Sequence, residues 1–153
     1  MPITASSVDQ KKFKNLQKGG LNQKNFQVFI RPDDKEIVIF GNLSFIEKNK
    51  SQKQLEMTNT SCKISRLKFQ LKIIKVKTGL EHILALSDIN SGGKVFSWGS
   101  SNYGQLGLDT RETVQFPQQI MSIRSYTVDI EVAGNTNLIL DENNRILTFG
   151  SNQ

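Results

Sequence analysis

The sequence predicts an all-β fold of repeated four-stranded antiparallel sheets, and three observations predict it. Apolar and polar residues alternate at Val128, Ile130 and Val132, and earlier at Leu67, Phe69 and Leu71. That is the period of a strand with one buried face, not of a helix with apolar residues three and four apart. Three stretches read as strand, turn, strand: 25–41 with FQVFI and EIVIF around RPDDK, 82–99 with ILAL and KVFSW around DINSGG, and 137–150 with LIL and RILTF around DENN. Each closes on an aromatic residue followed by glycine, Phe40-Gly41, Trp98-Gly99 and Phe149-Gly150, at intervals of 58 and then 51 positions. A period of about 50 with four short strands per unit marks a β-propeller blade, whose faces are buried against the blades before and after it. The expected architecture is a partial, open β-propeller of about two to three blades behind a flexible N-terminal tail.

Residues 1–24 carry Ser, Lys, Gln, Asn and Gly19-Gly20, with only Phe13, Leu16 and Leu21 as apolar anchors. A basic, flexible tail is expected there; DQKKFKNLQK, ending at Gly19, is too short to hold a helix alone in water. The propeller portion then runs over 25–153, with a degenerate repeat at about 35–86, a full repeat at about 93–140 and the opening of another at 145–153. In the first hairpin Pro32 fixes its backbone and Asp33 and Asp34 bond to nearby main chain, which places a turn. The longer first interval is assigned to an insertion over the lysine-rich residues 47–63.

The 153 residues are 37% hydrophobic and 22% charged, the balance of a globular protein with a modest core. No apolar run approaches the roughly 20 residues that span a bilayer, and residues 1–20 lack the apolar centre of a signal peptide. An intracellular protein, cytoplasmic or nuclear, with no membrane partner is expected. The single Cys62 cannot form an internal disulfide, and the single His82 rules out a multi-histidine metal site. No metal or cofactor is expected. Asn42-Leu43-Ser44 and Asn59-Thr60-Ser61 match the glycosylation acceptor only by chance in a chain without a secretory signal.

The net charge of +6 is unevenly spread: residues 1–77 hold 16 Lys and Arg against 6 Asp and Glu, whereas residues 78–153 hold 4 against 8. The basic half, with Lys11, Lys12, Lys14, Lys18, Lys48, Lys50, Lys53 and the alternating lysines from Lys63 to Lys77, could face nucleic acid, a nucleosome or an acidic protein surface. Stacking aromatics and a recognisable nucleic-acid module are missing. A solvated lysine-rich face is the favoured reading.

The segment GKVFSWGSSNYGQLGLDTRETVQFPQQIMSIRSYTVDIEVAGNTNLIL, residues 93–140, resembles one repeat of the regulator of chromosome condensation family. Trp98-Gly99, the turn Tyr103-Gly104-Gln105-Leu106-Gly107, Pro117 opening a strand, Gly79 with His82, and Ala85-Leu86 match its pattern. The resemblance implies a seven-bladed propeller. It is strong over 73–153, where Phe149-Gly150 and Asn152 begin another unit, and weak over 25–72, where Gly41 survives but LSFIEKNKSQ replaces the Gly-Gln-Leu-Gly turn. Ser101 stands where the family has Asn, Ala133 and Thr136 replace a second Gly-x-x-His, and the turn 89–93 is about three residues longer than usual. A kelch propeller shares the period, and Gly92-Gly93 resembles its double glycine, but no second pair falls at that phase.

Trp98, at the end of an apolar strand and repeated as Phe40 and Phe149, is read as inter-blade core. Gly99, Gly104 and Gly107 fit neither a P-loop nor a dinucleotide fingerprint and are read as turn glycines. His82 has no nucleophile or orienting carboxylate implied by spacing, so a hydrogen-bonding structural role is favoured over general base. Cys62 is read as an ordinary thiol. No catalytic residue is expected, and the chain is read as a non-enzymatic protein-interaction module or scaffold acting through loops: 47–63, 87–93 and, with slightly more weight, 108–116 with Asp109, Arg111 and Glu112. The resemblance also implies guanine-nucleotide exchange on a small GTPase, for which no residues map. At about 51 residues per blade the chain supplies about a third of a seven-bladed ring, so a fragment or a component of a larger assembly is expected, one that in isolation oligomerises, aggregates or requires a host assembly.

Overall fold

The computed structural model describes residues 17–21, 26–31, 35–41, 46 and 63–151. Most of the expected tail, nearly all of the insertion, Cys62 and Asn152 lie outside the described residues. The described chain forms three antiparallel meanders. The first holds β1 (Gln17–Leu21), β2 (Phe26–Arg31), β3 (Glu36–Gly41) and β4 (Lys63–Lys68). The second holds β5 (Ile73–Thr78), β6 (His82–Ser87), β7 (Val95–Gly99) and β8 (Val114–Gln119), and the third β9 (Thr127–Ala133), β10 (Thr136–Asp141) and β11 (Ile146–Gly150). All three predicted hairpins form, as β2–β3, β6–β7 and β10–β11. The lengthened turn between β6 and β7 holds a short 3-10 helix, Ile89–Ser91, capped by the Asp88 carboxylate, which accepts from the Asn90 N–H at 2.8 Å.

Strand pairing makes the three units equivalent. Phe26 pairs with Gly41, His82 with Gly99 and Thr136 with Gly150, and one step in, Gln27 pairs with Phe40, Ile83 with Trp98 and Asn137 with Phe149. The three glycines share positive φ, 130°, 114° and 112°, a conformation that a side chain strains. Because directly paired residues share a face, the sheets stack in a defined order. Phe26, Val28, Ile30, Ile37 and Ile39 meet Ile73, Val76, Ile83, Ala85 and Trp98 between the first and second sheets. Leu84, Leu86 and Val95 meet Ile120, Ile130 and Ile139 between the second and third. The middle sheet is covered on both faces, and β6 is buried at every position.

The same geometry separates the repeated aromatics. Trp98 faces the first sheet and is fully buried, with Phe69 and Phe96 nearby. Phe149 faces the second sheet and is half-buried against its cluster. Phe40 departs from the expected core role: it lies on the face of the first sheet turned away from the second and is 40% exposed, with no sheet among the described residues to cover it.

Three further expectations change. Gln17–Leu21, placed in the tail, forms β1 and pairs antiparallel with β2, with an irregularity between Lys18 and Gly20. Pro117 sits inside β8 rather than opening it; β8 is the outer edge of its sheet, where a missing N–H removes no ladder bond. The sheets also cut the chain at other points than the sequence repeats do. Residues 93–140 take in β7 and β8 of the second sheet and β9 and β10 of the third, so each repeat stitches two blades together covalently.

Charge reinforces the stacking. β5 packs against β1 and β2, and β9 against β5 and β6. Lys75 and Lys77 on β5 ion-pair with Asp129 and Glu131 on β9, the second pair at 2.8 Å. The hydrogen bonds from these lysines hold both carboxyls below their usual range, outweighing the upward push of burial. Part of the positive first half is thus spent on the negative second half within the chain. Trp98→Ala should cost about 3–5 kcal/mol, the range for truncating a buried aromatic, and Phe40→Ala less than half as much; chemical denaturation of the two variants measures the contrast.

Candidate functional site

The motif residues converge where the second sheet meets the third. Between β5 and β6 the Gly79 N–H donates to the His82 carbonyl at 2.8 Å. A Cβ on Gly79 would stand 2.0 Å from His82 Cε1 and 2.6 Å from the Gly134 carbonyl oxygen, so the glycine is required by the imidazole stacked on it. His82 Nε2 lies 2.7 Å from Asn137 Oδ1 in a buried pair. Asn137 Nδ2 donates to the backbone carbonyls of Gln105, at 2.8 Å, and Phe149, at 3.3 Å. With the amide nitrogen thus committed, Oδ1 must accept, and the proton of the neutral imidazole sits on Nε2. Nδ1 is buried without a hydrogen-bond partner. Burial pushes the His82 pKa down from 6.5, against the Asn137 hydrogen bond, which raises it. A neutral ring with its proton committed to a neighbouring blade is a structural clamp.

The turn after β7 is held equally firmly. Ser97 Oγ donates to the Leu106 carbonyl at 2.6 Å, and Ser101 Oγ to that of Thr110 at 2.8 Å. Gln105 is buried, and its side-chain oxygen accepts from the Tyr103 N–H at 2.8 Å. Leu106 is buried, and the Phe149 ring lies over Gly107, where a Cβ would come within 2.9 Å of it. Ser101 is buried and ties the loop through its hydroxyl. On this base Asp109, Arg111 and Glu112 are exposed and Tyr103 is 51% exposed. The Arg111 guanidinium lies beside Gly104 and donates to the Asn102 carbonyl at 3.4 Å.

Two residues escape a sequence reading. Asn137 is the centre of the inter-blade network, yet in the sequence it is one more polar residue beside a strand. Asp141 is buried in the β10–β11 turn, accepts from the Asn143 and Arg145 N–H groups, each at 2.9 Å, and ion-pairs with the Arg145 side chain at 2.8 Å. Burial raises its carboxyl, but these bonds and one from Ser125 outweigh burial and hold it at about 2. Its signal was the DENN turn, where an Asp side chain commonly bonds main chain two residues on. Among the described residues no group of three His, Cys, Asp or Glu could hold a metal ion, and no helix is long and apolar enough to cross a membrane.

The model of the regulator of chromosome condensation (RCC1) repeat matches residues 92–140, and a second RCC1 repeat model matches residues 73–105. Residues 73–140 thus carry RCC1 repeats. It is 31% identical over 85 residues to RCC1 domain-containing protein 1 of Mus musculus, covering 55% of this chain and 22% of that protein. It is 28% identical over 95 residues to the serine/threonine-protein kinase Nek8 of Danio rerio, covering 61% of this chain and 13% of the kinase. Among solved structures, human WBSCR16 superposes with a TM-score of 0.72 at 20% identity over 84% of this chain and 32% of that chain. Prp20p of Saccharomyces cerevisiae does so with a TM-score of 0.61 at 21% identity over 97% of this chain and 32% of that chain. The fold is a β-propeller arc, and the chain spans only a minor part of each of these proteins.

Gly79→Ala should destabilise the protein by about 1–3 kcal/mol, as overpacking does, and lower its melting temperature. Unfolded His82 protonates at its ordinary pKa of 6.5 and folded His82 only at lower pH, so its share of stability is complete above 6.5 and is lost as pH falls toward the folded value. Denaturation midpoints measured from neutral pH downward should show this loss, and His82→Gln should remove that part of the slope.

Proposed function

We propose that the chain is a non-enzymatic protein-interaction module, the 25–153 propeller segment of a larger intracellular assembly, and that the loop carrying Asp109, Arg111 and Glu112 is its principal contact. One observation carries this reading: buried hydrogen bonds from Ser97 and Asn137 fix the 101–112 loop to the blades and one from Ser101 to the Thr110 carbonyl braces it internally, while its charged tip and Tyr103 stay exposed. A recognition loop on a rigid scaffold loses little freedom on binding, which is how such loops gain affinity and specificity.

The second reading is regulation of a small GTPase by nucleotide exchange. It is favoured by the likeness to Prp20p, a structure described together with its binding to Gsp1p and histones. Binding of nucleic acid or nucleosomes is less favoured, because Lys75 and Lys77 are engaged with acids of this chain. Release of labelled nucleotide from a panel of small GTPases should proceed at the intrinsic rate with this protein present; acceleration replaces the scaffold reading with exchange. Proximity labelling in cells should identify a protein whose complex with the chain is lost when Asp109, Arg111 and Glu112 are all changed to Ala, and a complex indifferent to that change removes the loop from the reading.

A further inference from the structure

A cavity of about 350 Å³ lies at the other junction of the second and third sheets, between the start of β7 and the connection from β8 to β9. Lys94, Val95, Gln119, Ile123, Arg124 and Tyr126 line it. One wall is the turn 88–94 between β6 and β7, which presents Ile89 to solvent. Tyr126 of the opposite wall is 50% exposed, and Met121, which follows Ile120 of that wall in the chain, is 73% exposed. Exposed Met, aromatic and Arg side chains around an apolar floor are the composition of interface cores.

The charges here are unbalanced. Residues 78–153 hold only four basic residues, Lys94, Arg111, Arg124 and Arg145. Arg145 is paired with Asp141, and Arg111 donates to the Asn102 carbonyl. Lys94 and Arg124, the two whose side chains have neither an ion pair nor a hydrogen bond among the described residues, line the same cavity. The nearby acids are mostly committed elsewhere: Asp141 to Arg145 and Ser125, and Asp88 to the 3-10 cap and Lys72, 4.0 Å away. The walls are held in place as well. The Thr127 N–H donates to the Gly93 carbonyl at 3.0 Å, the Glu142 N–H to that of Tyr126 at 2.9 Å, and Ser125 Oγ to Asp141 Oδ2 at 3.0 Å.

We propose that this groove is a second docking site of the module, and that it takes a short acidic peptide segment with apolar side chains, carboxylates toward Lys94 and Arg124 and apolar groups toward Val95, Ile123 and Tyr126. The inference rests on the interaction-module reading and names a partner chemistry for a different surface. The probe is a labelled peptide of alternating Glu and Leu, with an alternating Lys and Leu peptide and a single-stranded oligonucleotide as comparisons, and fluorescence anisotropy is read with the full chain.

The acidic peptide should bind, more weakly as salt rises, and the Lys94→Glu, Arg124→Glu double variant should lower its affinity about tenfold or more. Lys94→Met with Arg124→Met should give an intermediate loss, and Arg66→Glu, an equal charge change at an exposed position of β4 outside the groove, should leave affinity unchanged. Circular dichroism confirms that the exposed substitutions leave the fold intact. Binding absent, indifferent to the double variant, equal for the basic peptide, or equally reduced by Arg66→Glu overturns the proposal; tighter oligonucleotide binding lost with the same variants assigns the groove to nucleic acid instead. If the groove fails while the Asp109, Arg111 and Glu112 triple variant still loses its partner, the module reading survives without this site.

Discussion

Everything in this molecule depends on the middle sheet burying both of its faces. β6 shows the requirement in its plainest form: six consecutive residues, His82–Ser87, alternate between two cores and none reaches water. A strand buried on both sides reads as a near-continuous apolar run, and it is stable only if a sheet lies against each face. The first sheet supplies Phe26, Val28 and Ile39 to one side, and the third supplies Ile130 and Ile139 to the other. Loops at the rim then inherit fixed positions from a stack that cannot slide without exposing those side chains.

Apolar burial is non-directional, so the stack needs devices that specify register, and polar groups provide them. Asn137 sits at the position that Trp98 neighbours in the equivalent blade through Ile83, and there it joins His82 to the Gln105 carbonyl. Such a network is costly when incomplete, which ties the turn 101–107 to the relative placement of two sheets. The Lys75 and Lys77 pairs with Asp129 and Glu131 do similar work between β5 and β9. The uneven charge of the sequence, so suggestive of an external acidic partner, is thus partly a record of one blade recognising the next.

The fold was legible where local pattern and long-range burial agree. Alternation, turn residues and the aromatic-glycine pairs located β2–β3, β6–β7 and β10–β11, and Trp98 could be placed in a core because it closes a largely apolar strand. β1 was not legible: QKGGL has two glycines and no alternation, and it is a strand because β2 offers it an edge. Phe40 was misplaced because a repeat predicts equivalence of position, whereas burial depends on what lies opposite, and its face has no neighbour in the described chain. In the candidate site, the Gly79 and His82 spacing announced a turn but not its partner Asn137, 55 residues away. The groove holding Lys94 and Arg124 was hidden for the same reason, since 30 positions separate two charges that only the fold brings to one cavity.

The two end sheets show how far the stacking logic extends. By strand register Leu138 on β10 occupies the place that Leu84 has on β6, Leu140 that of Leu86, and Ile146 that of Val95. Leu84, Leu86 and Val95 are fully enclosed, while Leu138 is 37% and Ile146 65% exposed. The difference is the absence of an opposing sheet among the described residues, not a change in residue type. Each apolar Å² left in water forgoes about 25 cal/mol, so the outer face of the third sheet, like the Phe40 face of the first, keeps the chemistry of an inter-blade surface. The loops at 101–112 and 88–94 belong instead to the second sheet, which is enclosed on both sides. They are held where they are whether or not those outer faces are covered, and that rigidity lets short exposed segments act as recognition surfaces.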